Sequence, residues 1–338
     1  MRFEQFDPKA DEQRLRSCHQ IIISAQEEDD PGGPPFSSGA FCGWWAHGLS
    51  DEPREAWLAR ADDGEPAGCY LLELPQQENV TIAFLTLGIT RSYRRQGLGQ
   101  ALLTHCRERA ALNGRTLLET VCRIGSPGAA FAVHIGAEPG LSDLRSVLTV
   151  DAPTLDRLPA LCADAAARAS GYSLRHWSGP APDDLLAQNA ALEEALADAP
   201  HAEWFEKPKW DGDRIRAAEE RVAAQGLRRY SIAAIHDATG EMAALTQLSI
   251  DPMVTGWAFQ DITAVVRAHR GHRLGVLVKA AMLKQLAELE PQVKRIITFN
   301  AADNEHMIAV NMALGFQPED HFRHYQLELR QPPAEATG

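Results

Sequence analysis

Residues 91–103 read R-S-Y-R-R-Q-G-L-G-Q-A-L-L, one residue after the apolar run L-T-L-G-I at residues 85–89. The apolar run predicts a buried strand. Behind the glycines, Leu98, Leu102 and Cys106 recur at helical spacing until Asn113-Gly114 ends the pattern. The segment therefore predicts a strand, a tight turn rich in Arg and Gly, and a helix.

The same order of features occurs again in the second half of the chain. Residues 261–266 read D-I-T-A-V-V, and residues 267–279 read R-A-H-R-G-H-R-L-G-V-L-V-K. Matching Arg94 to Arg270 gives an offset of 270 − 94 = 176 residues, about half of the 338-residue chain. A further strand follows each helix, at 116–121 and at 295–299, which predicts two βαβ units with parallel strands.

The repeat predicts a chain of two domains. We place the first at residues 1–151 and the second at 171–330. The Ala-rich stretch 152–170 is predicted to be a helical connector, and residues 331–338 are predicted to be a disordered tail.

Composition argues against several kinds of partner and site. A net charge of −13 disfavours nucleic acid. The chain has neither a signal-peptide pattern nor a long apolar run, so we expect a cytoplasmic protein without a membrane partner. The six cysteines are scattered and the twelve histidines lack ligand spacing, so reduced thiols and no metal are expected.

The turn between strand and helix has the chemistry of an anion site. Backbone N–H groups at a helix start have no intrahelical partner, and the helix dipole adds partial positive charge there. Gly97 and Gly99 permit close approach of a ligand, and Arg94 and Arg95 add charge suited to phosphate. A P-loop would need Lys-Ser/Thr after the glycines, and a dinucleotide fingerprint would need a glycine at Leu102, so both are disfavoured.

These residues resemble the GNAT superfamily of acyl-CoA N-acyltransferases, whose signature is Q/R-x-x-G-x-G/A between a strand and a helix. Residues 94–99 fit the signature in full, and residues 270–275 fit except that Arg273 replaces the first glycine. Residues 300–316, N-A-A-D-N-E-H-M-I-A-V-N-M-A-L-G-F, resemble the family's later motif. The layout is similar to that of actinobacterial tandem acetyltransferases, mycothiol synthase among them.

The resemblance implies an α/β fold of the α+β mixed-sheet type. Each domain would have a mixed, mostly antiparallel sheet flanked by helices, with acetyl-CoA wedged between splayed central parallel strands. A monomer or homodimer is expected, and acetyl-CoA serves as acyl donor without a metal. The implied coenzyme contacts are Leu87, Ile89, Arg94, Arg95, Gln96, Gly97, Leu98, Gly99 and Gln100 in the first half, and Thr263, Val265, Arg270, Gly271, His272, Arg273, Leu274, Gly275 and Asn304 in the second.

Amide formation from a thioester needs a base for the amine and a proton for the leaving thiolate. Asp261 is the predicted base, because period-2 alternation places it on one strand face with Thr263 and Val265. It could instead only hydrogen-bond at the strand start, and Glu203 and Glu206 are further candidates.

The family often supplies the proton from a Tyr five residues before the final Phe of its Gly-Phe ending. Asn311 and Ala132 occupy those positions here. Either Tyr325 serves, by its place on the following strand, or the thiolate leaves without an acid.

The two halves depart from the family pattern in different places. Arg273 could block approach to the backbone or add a guanidinium to the pyrophosphate, and the nearby Arg270, His272 and Lys279 favour the second alternative. We expect the C-terminal half to catalyse acetyl transfer to a primary amine of a small molecule, while the N-terminal half binds acetyl-CoA or braces the fold. The alternatives are a non-catalytic acyl-CoA sensor or scaffold, and a protein N-acetyltransferase.

Overall fold

The computed structural model describes residues 1–48, 52–196 and 205–329. The chain forms two compact units. Of the described residues, the N-terminal unit contains 1–142, 205–206 and 322–329, and the C-terminal unit contains 143–196 and 207–321. The tail predicted at 331–338 lies outside the described residues.

The N-terminal unit is a mixed sheet with helices on both faces. Its elements are β1 (Arg2–Phe6), α1 (Glu12–Asp29), α2 (Ser38–His47), β2 (Arg54–Arg60), β3 (Pro66–Glu73), β4 (Ile82–Ile89), α3 (Leu98–Leu112), β5 (Leu117–Arg123), α4 (Pro127–His134) and the first part of β6 (Glu138–Thr149). The strand order is β1-β2-β3-β4-β5, with β4 and β5 parallel and the other pairs antiparallel. Residues 322–328 of the last strand, β12 (Gln317–Glu328), add an antiparallel partner to β5.

The C-terminal unit repeats this plan. Its further elements are α5 (Ala152–Arg168), β7 (Tyr172–Ser178), α6 (Leu186–Leu196), α7 (Gly212–Ala224), β8 (Arg228–His236), β9 (Met242–Ile250), β10 (Trp257–Val265), α8 (Leu274–Leu289), β11 (Arg295–Ala301) and α9 (Glu305–Leu314). The strand order is β7-β8-β9-β10-β11, with β10 and β11 parallel, and residues 143–149 of β6 pair antiparallel with β11. The predicted mixed-sheet fold class and the parallel strand pairs are confirmed.

The stretch predicted to be a connector forms α5. The helix begins after Asp151, whose side chain accepts a hydrogen bond from the backbone N–H of Thr154 at 2.9 Å. Leu158 and Ala165 are buried in the C-terminal unit's core together with residues of α8. In the described parts of the chain, no helix combines the length and apolar character needed to cross a bilayer.

Each sheet is covered by helices on both of its faces. In the C-terminal unit, the α6 face carries Leu245 and Ala264 beneath Leu192, and the α8 face carries Ile232 and Leu248 beneath α8. In the N-terminal unit, the α1 face and the α3 face correspond to these. Fully burying one such leucine or isoleucine side chain contributes about 1.5–3 kcal/mol, so both faces of each sheet hold their helices in place.

Candidate functional site

In each unit the two central parallel strands pair only at their beginnings. The β4–β5 ladder spans Ile82–Phe84 opposite Leu117–Glu119, although β4 continues to Ile89. In the same way, the β10–β11 ladder spans Trp257–Phe259, although β10 continues to Val265. In the described chain, the parallel ladders stop before residues 87–89 of β4 and 263–265 of β10, so these backbone groups have no parallel partner. This is the splay of the central strands that the resemblance implies.

A helix with an open N-terminus follows the split strand of the N-terminal unit. Gly97 precedes α3 in a left-handed conformation, with φ 85°, and no side chain of the described chain caps this helix start. A Cβ at Gly97 would meet no atom within 4 Å, so a ligand can approach the backbone there. The amide N–H groups that begin α3 are therefore available to an anion such as a pyrophosphate.

Arg94 braces this loop rather than extending into solvent. Its Nε donates to the carbonyl of Ile89 at 3.2 Å, and its guanidinium pairs with Glu28 at 2.8 Å and with Asp29 at 2.9 Å. Arg95 is exposed beside it. Of the two predicted phosphate-binding arginines, Arg95 is therefore the exposed one in the ligand-free chain.

The C-terminal loop has the same backbone form with different side chains. Arg273 takes the left-handed conformation that Gly97 has, with φ 56°, and pairs with Asp164 of α5. Arg270 repeats the contact of Arg94, because its Nε donates to the carbonyl of Val265 at 3.4 Å. Lys279, expected near this loop, is buried within the unit and bonds Asn311.

A β-bulge interrupts β10 at the predicted base. The register with β9 runs through Gln260, opposite Leu248, and resumes one residue out of step at Thr263, opposite Thr246, so 261–262 lie outside the ladder. Thr263 hydrogen-bonds Thr246 at 2.8 Å on the α8 face. Asp261 instead accepts from Ser249, which shares the α6 face with Leu245. The expected common face for Asp261 and Thr263 is therefore absent, because the extra residue reverses the alternation.

Asp261 lies in a charged cluster on the α6 face. Its side chain is 23% exposed, and its Oδ2 is 3.4 Å from Nε of Arg229. Burial raises the pKa of Asp261, and Arg229 and Ser249 oppose part of that rise.

Glu193 of α6 interacts electrostatically with both Arg229 and Asp261. Burial raises its pKa to about 7, Arg229 lowers it and Asp261 raises it. The sequence gives no signal for Glu193 beyond its place between Leu192 and Glu194, because only the folded chain brings α6 to the bulge. A carboxyl whose pKa lies near neutrality is suited to accept a proton from an amine.

The structure separates the other predicted catalytic residues from Asp261. Tyr325 belongs to the N-terminal unit, where it pairs with Thr120 of β5 and packs with Ala129 and Ala132. The predicted acid and the predicted base thus lie in different units, since the end of β12 pairs with β5.

Of the two further candidates for the base, the structure describes only Glu206. Glu206 belongs to the N-terminal unit and accepts from the backbone N–H of Asn79 at 2.7 Å. Glu203 lies outside the described residues. Asn304, predicted to contact the coenzyme, caps α9 by accepting from the backbone N–H of Met307 at 3.1 Å.

Among its described residues, the N-terminal unit has apolar side chains on the face that carries the charged cluster in the C-terminal unit. Its α1 face is filled by apolar side chains, among them the fully buried Phe41, Trp45 and Leu58. A Cβ at Gly88 would lie 2.5 Å from Cδ1 of Ile22, so α1 packs directly against β4. The described α1 face is therefore apolar beside the middle of β4, and its charged groups Glu28 and Asp29 lie at the end of α1, where they pair with Arg94.

Comparisons with known proteins agree with this geometry. Residues 15–129 match the Acetyltransferase (GNAT) family. A tandem GNAT protein from the clavulanic acid biosynthesis pathway is 29% identical, with a TM-score of 0.83 over 97% of this chain and 98% of that one. A GCN5-related N-acetyltransferase from Sphaerobacter thermophilus shares the fold at 16% identity, with a TM-score of 0.66 over 97% of this chain and 96% of that one.

A search of curated proteins found no match. The family match and the matching tandem layout nevertheless agree with the split strands and the open helix starts of both units. Residues 15–129 therefore form a GNAT acetyltransferase domain, and the two-domain layout of the chain matches that of a tandem GNAT protein.

Proposed function

We propose that the protein is an N-acetyltransferase that moves an acetyl group from acetyl-CoA to a primary amine of a small molecule. The amine attacks the thioester directly in a ternary complex held by the C-terminal unit. The observation that carries this proposal is the asymmetry at the split strands. The bulge of β10 lies beside a charged cluster, whereas the matching face of β4 is closed by apolar packing.

The chemistry assigned to the C-terminal unit follows from the bulge and its neighbours. Backbone at 261–262 lies outside the regular β9 ladder, so its N–H groups can polarise a thioester carbonyl in the split. Asp261 or Glu193 accepts the proton that the amine loses; Arg229 pairs with Asp261 and acts on Glu193 through its charge. The open starts of α3 and α8 support pyrophosphate binding in both units.

A small-molecule acceptor is favoured over a protein because the 29% identical tandem protein belongs to a small-molecule biosynthesis pathway. The test is release of free thiol from acetyl-CoA across a panel of small primary amines, with peptides bearing a free N-terminus or lysine as the comparison. Tight CoA binding without release on any acceptor would support the sensor or scaffold alternative, and release only with peptides would support a protein N-acetyltransferase.

Two pairs of variants assign the roles. Gly275→Glu places a carboxylate at the α8 start and should abolish turnover, whereas Gly97→Glu does so at the α3 start and should leave turnover measurable. The opposite result would assign catalysis to the N-terminal unit. Asp261→Asn and Glu193→Gln should each lower kcat by about 100-fold to 10,000-fold if the residue is the base. Glu288→Gln, an exposed change on α8, is the control.

A further inference from the structure

One lysine lies in the core of the C-terminal unit without a carboxylate partner. Lys279 is 2% exposed, and its Nζ donates one hydrogen bond, to Oδ1 of Asn311 at 2.7 Å. The ring of Phe316 lies 4.9 Å from the same Nζ. An ammonium group has three N–H donors, so two remain without an acceptor in the described chain. A buried N–H donor without an acceptor destabilises the fold unless a ligand accepts its hydrogen bond.

The lysine connects to the split between β10 and β11. Asn311 of α9 donates from Nδ2 to Oδ1 of Asn300 at 2.7 Å. Asn300 lies on β11 three residues beyond Ile297, where the ladder with β10 ends. The chain of contacts from Lys279 through Asn311 therefore reaches the opening in which the coenzyme would lie.

The N-terminal unit lacks this pair. The repeat offset places Leu103 opposite Lys279, because 279 − 176 = 103, and Leu103 is a buried core residue. Counted back from the matching endings Gly136-Ala137 and Gly315-Phe316, Ala132 stands where the C-terminal unit has Asn311. The polar pair is therefore confined to the unit that carries the bulge and the charged cluster.

We propose that Lys279, held by Asn311, donates the proton that the CoA thiolate takes up as it leaves the C-terminal unit. The inference rests on the proposed acetyl transfer by that unit. As the tetrahedral intermediate collapses, the C–S bond breaks, the sulfur takes the electron pair, and an N–H proton of Lys279 passes to the sulfur. The amine's proton goes to the carboxylate at the bulge, and the neutral Lys279 regains a proton from solvent.

The acid–base character of Lys279 agrees with this role. Burial lowers its pKa to about 7. In the described chain, no charged group on α9, on β11 or beside Phe316 adds to this change. An acid with a pKa near 7 can protonate the more basic thiolate at neutral pH.

The first test does not need turnover. CoA is bound to the full chain, and its thiol is titrated by the ultraviolet absorbance of the thiolate. In the unmodified chain and in the control Lys284→Met, which changes an exposed lysine of the same helix, part of the bound thiol should ionise near pH 7, because the ammonium of Lys279 stabilises the thiolate, and Lys279→Met should lose this fraction. Any CoA in the N-terminal unit contributes equally to all three. Identical titrations in the unmodified chain and Lys279→Met would overturn the proposal.

The second test uses the transfer reaction. Lys279→Met should lower kcat by about 100-fold or more while KM for acetyl-CoA stays close to that of the control. Asn311→Asp gives Lys279 a carboxylate and should move the falling limb of the pH–rate profile to higher pH. Unchanged kcat in Lys279→Met would contradict the role. If ionisation of the bound thiol depends on Lys279 but no amine is acetylated, the proposed function is refuted, while the contact between the lysine and the thiol is still supported.

Discussion

Replacing Lys279 by Met should change the pH dependence of stability in a defined direction. Burial lowers the pKa of Lys279 from its ordinary value of 10.5 to about 7. The unfolded chain therefore binds one more proton than the folded chain between these two values, and stability rises with pH across that window. Below the folded pKa the lysine is charged in both states, and the folded chain then bears the whole cost of a buried ammonium.

The size of the effect follows from the two pKa values. Each tenfold change in proton affinity is worth about 1.4 kcal/mol, so the cost near pH 6 is about 5 kcal/mol, declining to near zero above pH 10. Methionine fills a similar volume without charge, but it leaves Oδ1 of Asn311 without its donor, which costs about 1–3 kcal/mol. Lys279→Met should thus be more stable than the unmodified chain by about 2–4 kcal/mol near pH 6 and slightly less stable near pH 10.

Urea unfolding followed by circular dichroism, at intervals from about pH 6 to 10, measures this difference. The remaining titratable groups are common to both chains, so they cancel in the comparison. Lys284→Met, which removes an exposed charge from the same helix, should run parallel to the unmodified chain. Parallel curves for Lys279→Met as well would show that Lys279 keeps its ordinary pKa, and the reasoning would fail.

Three further predictions concern the bulge and the N-terminal unit. If Glu193 is the base, the kcat/KM of the unmodified chain should pass through a maximum near pH 7, because Glu193 must lose its proton while Lys279 must keep the proton it donates, and Glu193→Gln should remove the rising limb from pH–rate profiles. Gly88→Ala brings a Cβ to 2.5 Å from Ile22, so urea titration should show a loss of about 1–3 kcal/mol. Phe41→Ala, at a fully buried position, should cost about 3–5 kcal/mol by the same method.

The repeated elements could be predicted because their signals are local. Strand, turn and helix follow one another within about twenty residues, and the apolar periodicity behind Gly97 and Leu274 continues to the end of each helix. Parallel pairing of β4 with β5 and of β10 with β11 then follows from the βαβ connection.

The partners of the last strands could not be predicted in this way. Residues 322–328 pair with β5 and residues 143–149 pair with β11, and nothing in either strand's own sequence names its partner. Tyr325 therefore belongs to the N-terminal unit and Asp261 to the C-terminal unit. The bulge could not be predicted either. Successive side chains alternate between the two sheet faces before and after 261–262, and only the pairing with β9 shows the extra residue. The sequence predicts Lys279 only as a charge near the phosphate loop, because its contact with Asn311 depends on how α9 packs against α8.

The two units differ most where side chains are needed and least where backbone suffices. A helix start binds an anion through amide N–H groups, which any residue provides, so Arg273 can replace the glycine of the first loop without removing those donors. Proton transfer instead needs particular side chains beside an interrupted ladder. The register of β3 with β4 continues without interruption from Glu73 to Gly68, so no residue of β4 is displaced as Asp261 is. Coenzyme binding can thus persist in both units while the chemistry, as we propose, belongs to the C-terminal one.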